Sequence, residues 1–267
     1  MSNTDQSPRV GLFVTCLADM FRPSVAFATV KLLEQAGCRV EVPEQQTCCG
    51  QPAFNSGDRN TTRDIARQTI AAFDGYEYIV APSGSCIGML HQYPDLFDST
   101  DPFFSRATEL AGKSHEITSF LCDIIGLDKL QSCLDKLSFD GSVTYHDSCA
   151  GLRELGVKTQ PRSLLAQIKG LDIKEMAEAE TCCGFGGTFC VKYPEISNRM
   201  VSNKTENIAN SGAKTLLGGD LGCLLNMAGK LKREGQSVEA RHIVEILADM
   251  ADIPAIGEAD YDLAQQL

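Results

Sequence analysis

Thr47-Cys48-Cys49-Gly50 and Thr181-Cys182-Cys183-Gly184 decide how this sequence reads, because the cysteines around the two pairs repeat as well. In the first half, 31 residues separate Cys16 from Cys48 and 36 separate Cys49 from Cys86. In the second, 32 separate Cys149 from Cys182 and 39 separate Cys183 from Cys223. The offset between copies is 133 or 134 residues for the first three cysteines and 137 for the last, which marks a duplication. Cysteines that match while most neighbouring side chains differ are not explained by packing alone.

Local patterns place these cysteines on an α/β fold. Val10 to Cys16 reads as a short buried strand that delivers Cys16 at its C-terminal end. Pro23 opens a helix over 25–36, with Ala26, Phe27, Val30 and Leu33 as its apolar stripe and Gly37 as its stop. A strand at 39–43 leads to the Cys-Cys-Gly turn. Asn60 is the expected cap of a helix on which Ile65, Thr69 and Phe73 share a face, and the strand Tyr78–Ala81 precedes Cys86. The second half repeats the order: a strand over 142–146 before Cys149, a helix opened by Pro161 with Leu164, Leu165 and Ile168, and a strand over 214–217 before Cys223. Each half closes with a similar segment, Ile117–Ile125 and Ile243–Met250.

Strand–helix alternation predicts two tandem cysteine-rich domains, each a small, largely parallel sheet with flanking helices, covering 1–132 and 133–267 with the boundary between 128 and 139. In such folds ligands gather outside the carboxyl ends of the strands, where the four cysteines of each half are expected to meet.

Composition narrows the partners. A formal charge of −11 with scattered basic residues disfavours nucleic acid and anionic lipid. The first twelve residues lack a signal-peptide pattern and no apolar run approaches the roughly 18 residues of a membrane span, so a cytoplasmic protein is expected. Twelve cysteines in a reducing compartment call for a use other than disulfides. Neither a Walker loop nor a dinucleotide-binding glycine motif is present.

Metal ligation by Cys16, Cys48, Cys49 and Cys86, and by Cys149, Cys182, Cys183 and Cys223, is the leading use. Soft thiolates suit iron–sulfur clusters and zinc alike. Adjacent cysteines with long gaps differ from short zinc knuckles and can straddle a multi-iron core, which favours an iron–sulfur cluster in each domain, with zinc in one domain as the alternative. Gly50 and Gly184 allow close backbone approach to such a core and are read as cofactor-binding, as is His146, a hydrogen-bond donor or proton relay three residues before Cys149. Ser83 and Asp147 are candidates to hydrogen-bond ligand sulfurs. Cys38, Cys122, Cys133 and Cys190 are read as buried core residues.

The pattern C-x31-C-C-G-x35-C and its copy resemble the duplicated cysteine-rich CCG domain found in heterodisulfide reductase, in the iron–sulfur component of glycolate oxidase and in lactate utilisation protein A. Pro82 to Cys86, His146 to Cys149, Cys182 to Thr188 and Gly218 to Cys223 look most like the lactate utilisation protein A family. That resemblance implies an oxidoreductase subunit that passes electrons in the oxidation of L-lactate to pyruvate, beside companion subunits of which one is a ferredoxin-type iron–sulfur protein. Heterodisulfide reductase copies end in C-x2-C, whereas Met89 and Asn226 stand at those positions here. Four cysteines per lobe then imply a 4Fe-4S cluster in each. Competing readings are a zinc-binding assembly scaffold and a component of a thiol or disulfide reductase.

Overall fold

The computed structural model describes residues 7–258; residues 1–6, half of the stretch read for a signal peptide, and 259–267 lie outside the described residues. Strands β1 (Arg9–Leu12), β2 (Arg39–Glu41), β3 (Tyr78–Ala81) and β4 (Ser114–Glu116) form one sheet in the order β2-β1-β3-β4. Strands β5 (Ser138–His146), β6 (Lys169–Ile173), β7 (Thr215–Gly218) and β8 (Glu239–His242) form a second in the order β6-β5-β7-β8. Every pairing is parallel, as expected for strands alternating with helices.

In the first sheet alternate residues serve two cores. Val10, Leu12 and Val80 pack in a core shared with the second lobe, while Phe13, Ile79 and Ala81 point the other way, toward Ile70, Phe73 and Leu90. The shared core continues through Val143, Leu164, Leu216 and Ile243, so the lobes bury apolar surface against each other.

The contact between lobes is reciprocal. Helix Pro23–Gln35 of the first lobe packs on helix Ile243–Leu247 of the second, and Thr159–Leu165 of the second packs on Ile117–Ser119 of the first. Polar residues lock it. Glu245 Oε1, fully buried, accepts from Arg22 Nε and Ser24 Oγ, each at 2.7 Å. At the ends of β4 and β8, Glu116 Oε2 caps Thr118 N at 2.8 Å and His242 Nδ1 caps Val244 N at 3.3 Å. His242 Nε2 then reaches Pro82 O of the first lobe at 3.2 Å.

Several local expectations change. The first strand ends at Leu12, because Thr15 Oγ1 accepts from Ala18 N and opens a helix at Cys16. Asp58, not Asn60, caps the helix Arg59–Ala72, since its carboxylate reaches Thr61 N at 3.1 Å. On Pro23–Gln35 the buried stripe is Val25, Ala28, Thr29, Leu32 and Leu33, while Phe27 is 67% exposed. The helix expected from Pro161 begins at Thr159, and the two closing segments differ, Phe120–Ile125 being a π-helical stretch. Cys38 is buried as expected, but Cys122, Cys133 and Cys190 are only half-buried. Cys122 and Cys190 donate their thiols to the carbonyls of Gln160 and Gly187.

Candidate metal centre

The eight cysteines of the two tetrads follow strand C-termini, Cys16, Cys86, Cys149 and Cys223 within five residues and the two Cys-Cys pairs on longer loops. Cys16 and Cys149 are the first residues of helices Cys16–Phe21 and Cys149–Leu155, capped by Thr15 and Ser148. Cys86 and Cys223 lie in the first turns of helices Gly84–His91 and Leu221–Arg233. A helix N-terminus offers free N–H groups and a positive dipole end, both of which favour a thiolate. Strand order reverses between β1 and β3, and again between β5 and β7, and the outer cysteines of each tetrad flank these switch points.

The Cys-Cys-Gly turns fill the middle of each tetrad. Gly50 and Gly184 have φ of 85° and 87°, a left-handed conformation that a side chain resists. This turn aims Gly50 N at Cys48 Sγ, 3.5 Å away, and Gly184 N at Cys182 Sγ, 3.4 Å away. The carbonyls of the second cysteines are tied down as well, Cys49 O by Tyr93 Oη and Cys183 O by Asn226 Nδ2, each at 2.9 Å.

The sulfurs of each tetrad interact in one chain. Cys16 Sγ lies 3.9 Å from Cys48 Sγ. Hydrogen bonds from Cys16 and then Cys49 hold the Cys48 thiol far below its ordinary range, and Cys149 and Cys183 do the same to Cys182. The donors are correspondingly pushed up: Cys16 and Cys149 by that bond and by burial, Cys49 by Cys48 and Cys86, and Cys183 by Cys182 and Cys223. Thiols this close suit a shared metal centre whose binding replaces the protons.

The two tetrads open on one space. A cavity of about 380 Å³ is lined by Cys16, Cys48, Cys49 and Cys86 of the first lobe and by Cys149 and Cys223 of the second. Cys182 and Cys183 do not line it, Cys182 being half-buried elsewhere and Cys183 1% exposed. The lobes meet here at a glycine crossing: a Cβ on Gly84 would stand 2.7 Å from the Cα of Gly151, so the Cys86 and Cys149 helices touch backbone to backbone. On the other side Leu17 and Phe185 close over Gly222, between the Cys16 and Cys223 helices.

His146 is fully buried, and burial first, then the charge of Lys204, push its pKa down to about 3, so it is neutral. The Ala179 carbonyl acts in the opposite sense without reaching hydrogen-bond geometry with either ring nitrogen. Of the remaining candidates, Ser83 Oγ accepts from Cys86 N and faces Asp220, not a sulfur. Asp147 is engaged by Arg162, at 2.8 and 2.9 Å, and therefore does not serve the sulfurs. Asp220 was not singled out from sequence; a capping-type residue three positions before Cys223, mirroring Ser83 before Cys86, was its signal.

The CCG cysteine-rich domain family matches residues 10–91 and 143–228, once in each lobe. Lactate utilization protein A of Oceanobacillus iheyensis is 48% identical over 239 residues, covering 90% of this chain and 96% of that protein. The chain belongs to the lactate utilization protein A family. Another relative of that name, from Macrococcus caseolyticus, is 46% identical over 244 residues, covering 91% of this chain and 98% of its own. The protein of Halalkalibacterium halodurans is 44% identical over 239 residues, covering 90% and 96%. For fold alone, a hypothetical protein from Helicobacter pylori gives a TM-score of 0.58 at 11% identity over 97% of this chain. This chain spans 51% of that protein's length. No described helix is long and apolar enough to cross a membrane.

Proposed function

We propose that the chain is the iron–sulfur electron-transfer subunit of an L-lactate oxidation system that forms pyruvate in the cytoplasm, working with companion subunits that include a ferredoxin-type iron–sulfur protein. The carrying observation is the pair of cysteine tetrads, each at the carboxyl ends of its own sheet and both opening on one cavity. The relatives' name, lactate utilization protein A, supplies the metabolic context.

A 4Fe-4S cluster bound in each tetrad supplies one-electron transfer. Oxidation of a 2-hydroxy acid to a 2-oxo acid releases two electrons and two protons, and a pair of one-electron centres suits that stoichiometry. The chain's own residues hold and tune the centres. Cys16, Cys48, Cys49 and Cys86 ligate the first, and Cys149, Cys182, Cys183 and Cys223 the second. Backbone N–H groups of Gly50, Gly184 and Phe185, 3.4 to 3.5 Å from cysteine sulfurs, lower the charge density on them. Apolar Leu17 and Phe185 line the space between the lobes.

Anaerobic purification followed by iron, sulfide and zinc analysis and EPR of the reduced protein tests this. About four irons and four sulfides per lobe are expected for clusters of this kind. Zinc without iron would move the protein to the scaffold reading. Cys49→Ser and Cys183→Ser proteins that sustain lactate oxidation as well as the parent would also refute it.

A further inference from the structure

The registers of the two sheets pair Val10 with Val143, Leu12 with Tyr145 and Phe13 with His146. At the last position the lobes diverge. Phe13 is fully buried against Phe73, with ring centroids 5.5 Å apart. His146 is just as deeply buried, yet neither Nδ1 nor Nε2 has a hydrogen-bond partner. Buried polar atoms without partners are costly and rare, so two on one ring mark a missing partner rather than a packing choice. The chemistry within reach is that of a metal ligand set: a ring nitrogen of His146 and the sulfurs of Cys183 and Cys223 all lie within 4.8 Å of one another. Imidazole and thiolate bind the same metals.

Given cluster binding at both tetrads, as proposed above, we infer that His146 ligates one iron of the second lobe's centre through a ring nitrogen beside Cys183 and Cys223, in place of Cys149 or Cys182, so that three cysteines and one histidine serve four irons. The second centre is then a mixed nitrogen–sulfur site, whereas the first, with Phe13 in the equivalent place, is all sulfur.

A second asymmetry acts in the same direction. Lys204 is buried under the second tetrad, its ammonium donating to Glu178 O and Ala179 O. The corresponding helix of the first lobe, Arg59–Ala72, buries Thr62, Ala66, Thr69 and Ile70 and no cation. A neutral nitrogen ligand and a nearby positive charge both favour the reduced, more negative cluster. Asp220, in the place of the first lobe's Ser83, acts in the opposite sense on Cys149 and Cys223, so ligation by His146 raises the second centre's potential over what its cysteines alone would give.

The test is pulsed EPR of the reduced, anaerobically purified full chain, with histidine at natural abundance and labelled with 15N, alongside a redox titration. Expected are a directly bonded nitrogen coupling that scales with the isotope and two separate midpoints. In His146→Phe, which copies the first lobe's residue and keeps the core filled, the coupling disappears and one of the two midpoints falls. Iron and sulfide in both lobes without an isotope-sensitive coupling in the unmutated protein, or a coupling that survives in His146→Phe, overturns the assignment alone. Iron missing from a Cys48→Ser/Cys49→Ser protein, where only the second tetrad is intact, overturns cluster binding there and the ligand assignment with it.

Discussion

Asp220 Oδ2 accepts from Ser85 N at 2.9 Å and from Ser83 Oγ at 3.3 Å, so the residue opening the Cys223 helix holds the start of the Cys86 helix in the other lobe. Asp220 makes no cap bond to its own helix; its carboxylate is given over to the neighbouring lobe. Asp220→Ala leaves Ser85 N without this partner and should cost about 2 kcal/mol, the scale of a buried hydrogen bond to a charged group. Urea unfolding reads it, and a midpoint equal to the parent's would mean that the contact contributes nothing.

Gly84→Ala tests the glycine crossing. The added methyl meets the Cα and N of Gly151 at 2.7 and 2.8 Å, backbone atoms that cannot step aside, so the lobes must separate. A loss of about 1–3 kcal/mol is expected from overpacking of this kind. Gly112→Ala, on a helix where the new methyl meets nothing within 4 Å, is the control and should be neutral or slightly stabilising. Equal melting temperatures for the two variants would contradict the crossing.

Glu245 is buried and depends on Arg22 for its counter-charge. Arg22→Met strands that charge and is expected to cost about 3 kcal/mol or more. Adding Glu245→Gln to the same protein should restore part of the loss, because the amide keeps an oxygen for the His242 cap without a charge to compensate. A double variant less stable than Arg22→Met would show that the pair acts through something other than charge.

Burial first, and Asp220 in addition, raise the Glu116 carboxyl to about 7, against hydrogen bonds from Thr118 and Ser119 that pull it down. Its Oε1 has no partner, and the carboxyl borders a cavity of about 10 Å³ between the lobes. Because the folded value lies above the unfolded one, the proton on Glu116 favours folding fully at pH values below the ordinary carboxylate range. That contribution is lost as pH rises through about 7. Glu116→Gln should therefore match the parent near pH 4 and exceed its stability by up to about 3 kcal/mol near pH 8. Parallel denaturant titrations at the two pH values decide it; a constant difference between the proteins would rule out titration of Glu116 as the cause.

Much of the fold was legible because apolar β-branched runs such as Tyr78-Ile-Val-Ala81 and glycine stops such as Gly37 act locally. Strand β6 and the two fourth strands were not. Ser114-His-Glu116 and Glu239-Ala-Arg-His242 carry no apolar alternation; they become strands because β3 and β7 offer an open edge and because Glu116 and His242 are needed as caps. Phe27 misled for the opposite reason, an apolar side chain left on the solvent face of its helix, and of the stripe expected there only Leu33 is buried.

The sequence by itself determined the duplication, the four repeated cysteines in each half, and their positions after the strands, since spacing and local pattern carry that information. Only the tertiary structure decided that both tetrads face one cavity, that Asp220 and Ser85 join the cysteine helices across lobes, and that His146 is left without a partner beside Cys183 and Cys223. These relationships join residues that lie far apart in the chain, where neither periodicity nor propensity leaves a trace. They arise when burial of the apolar faces brings the lobes together and draws most polar groups at the seam into partnerships.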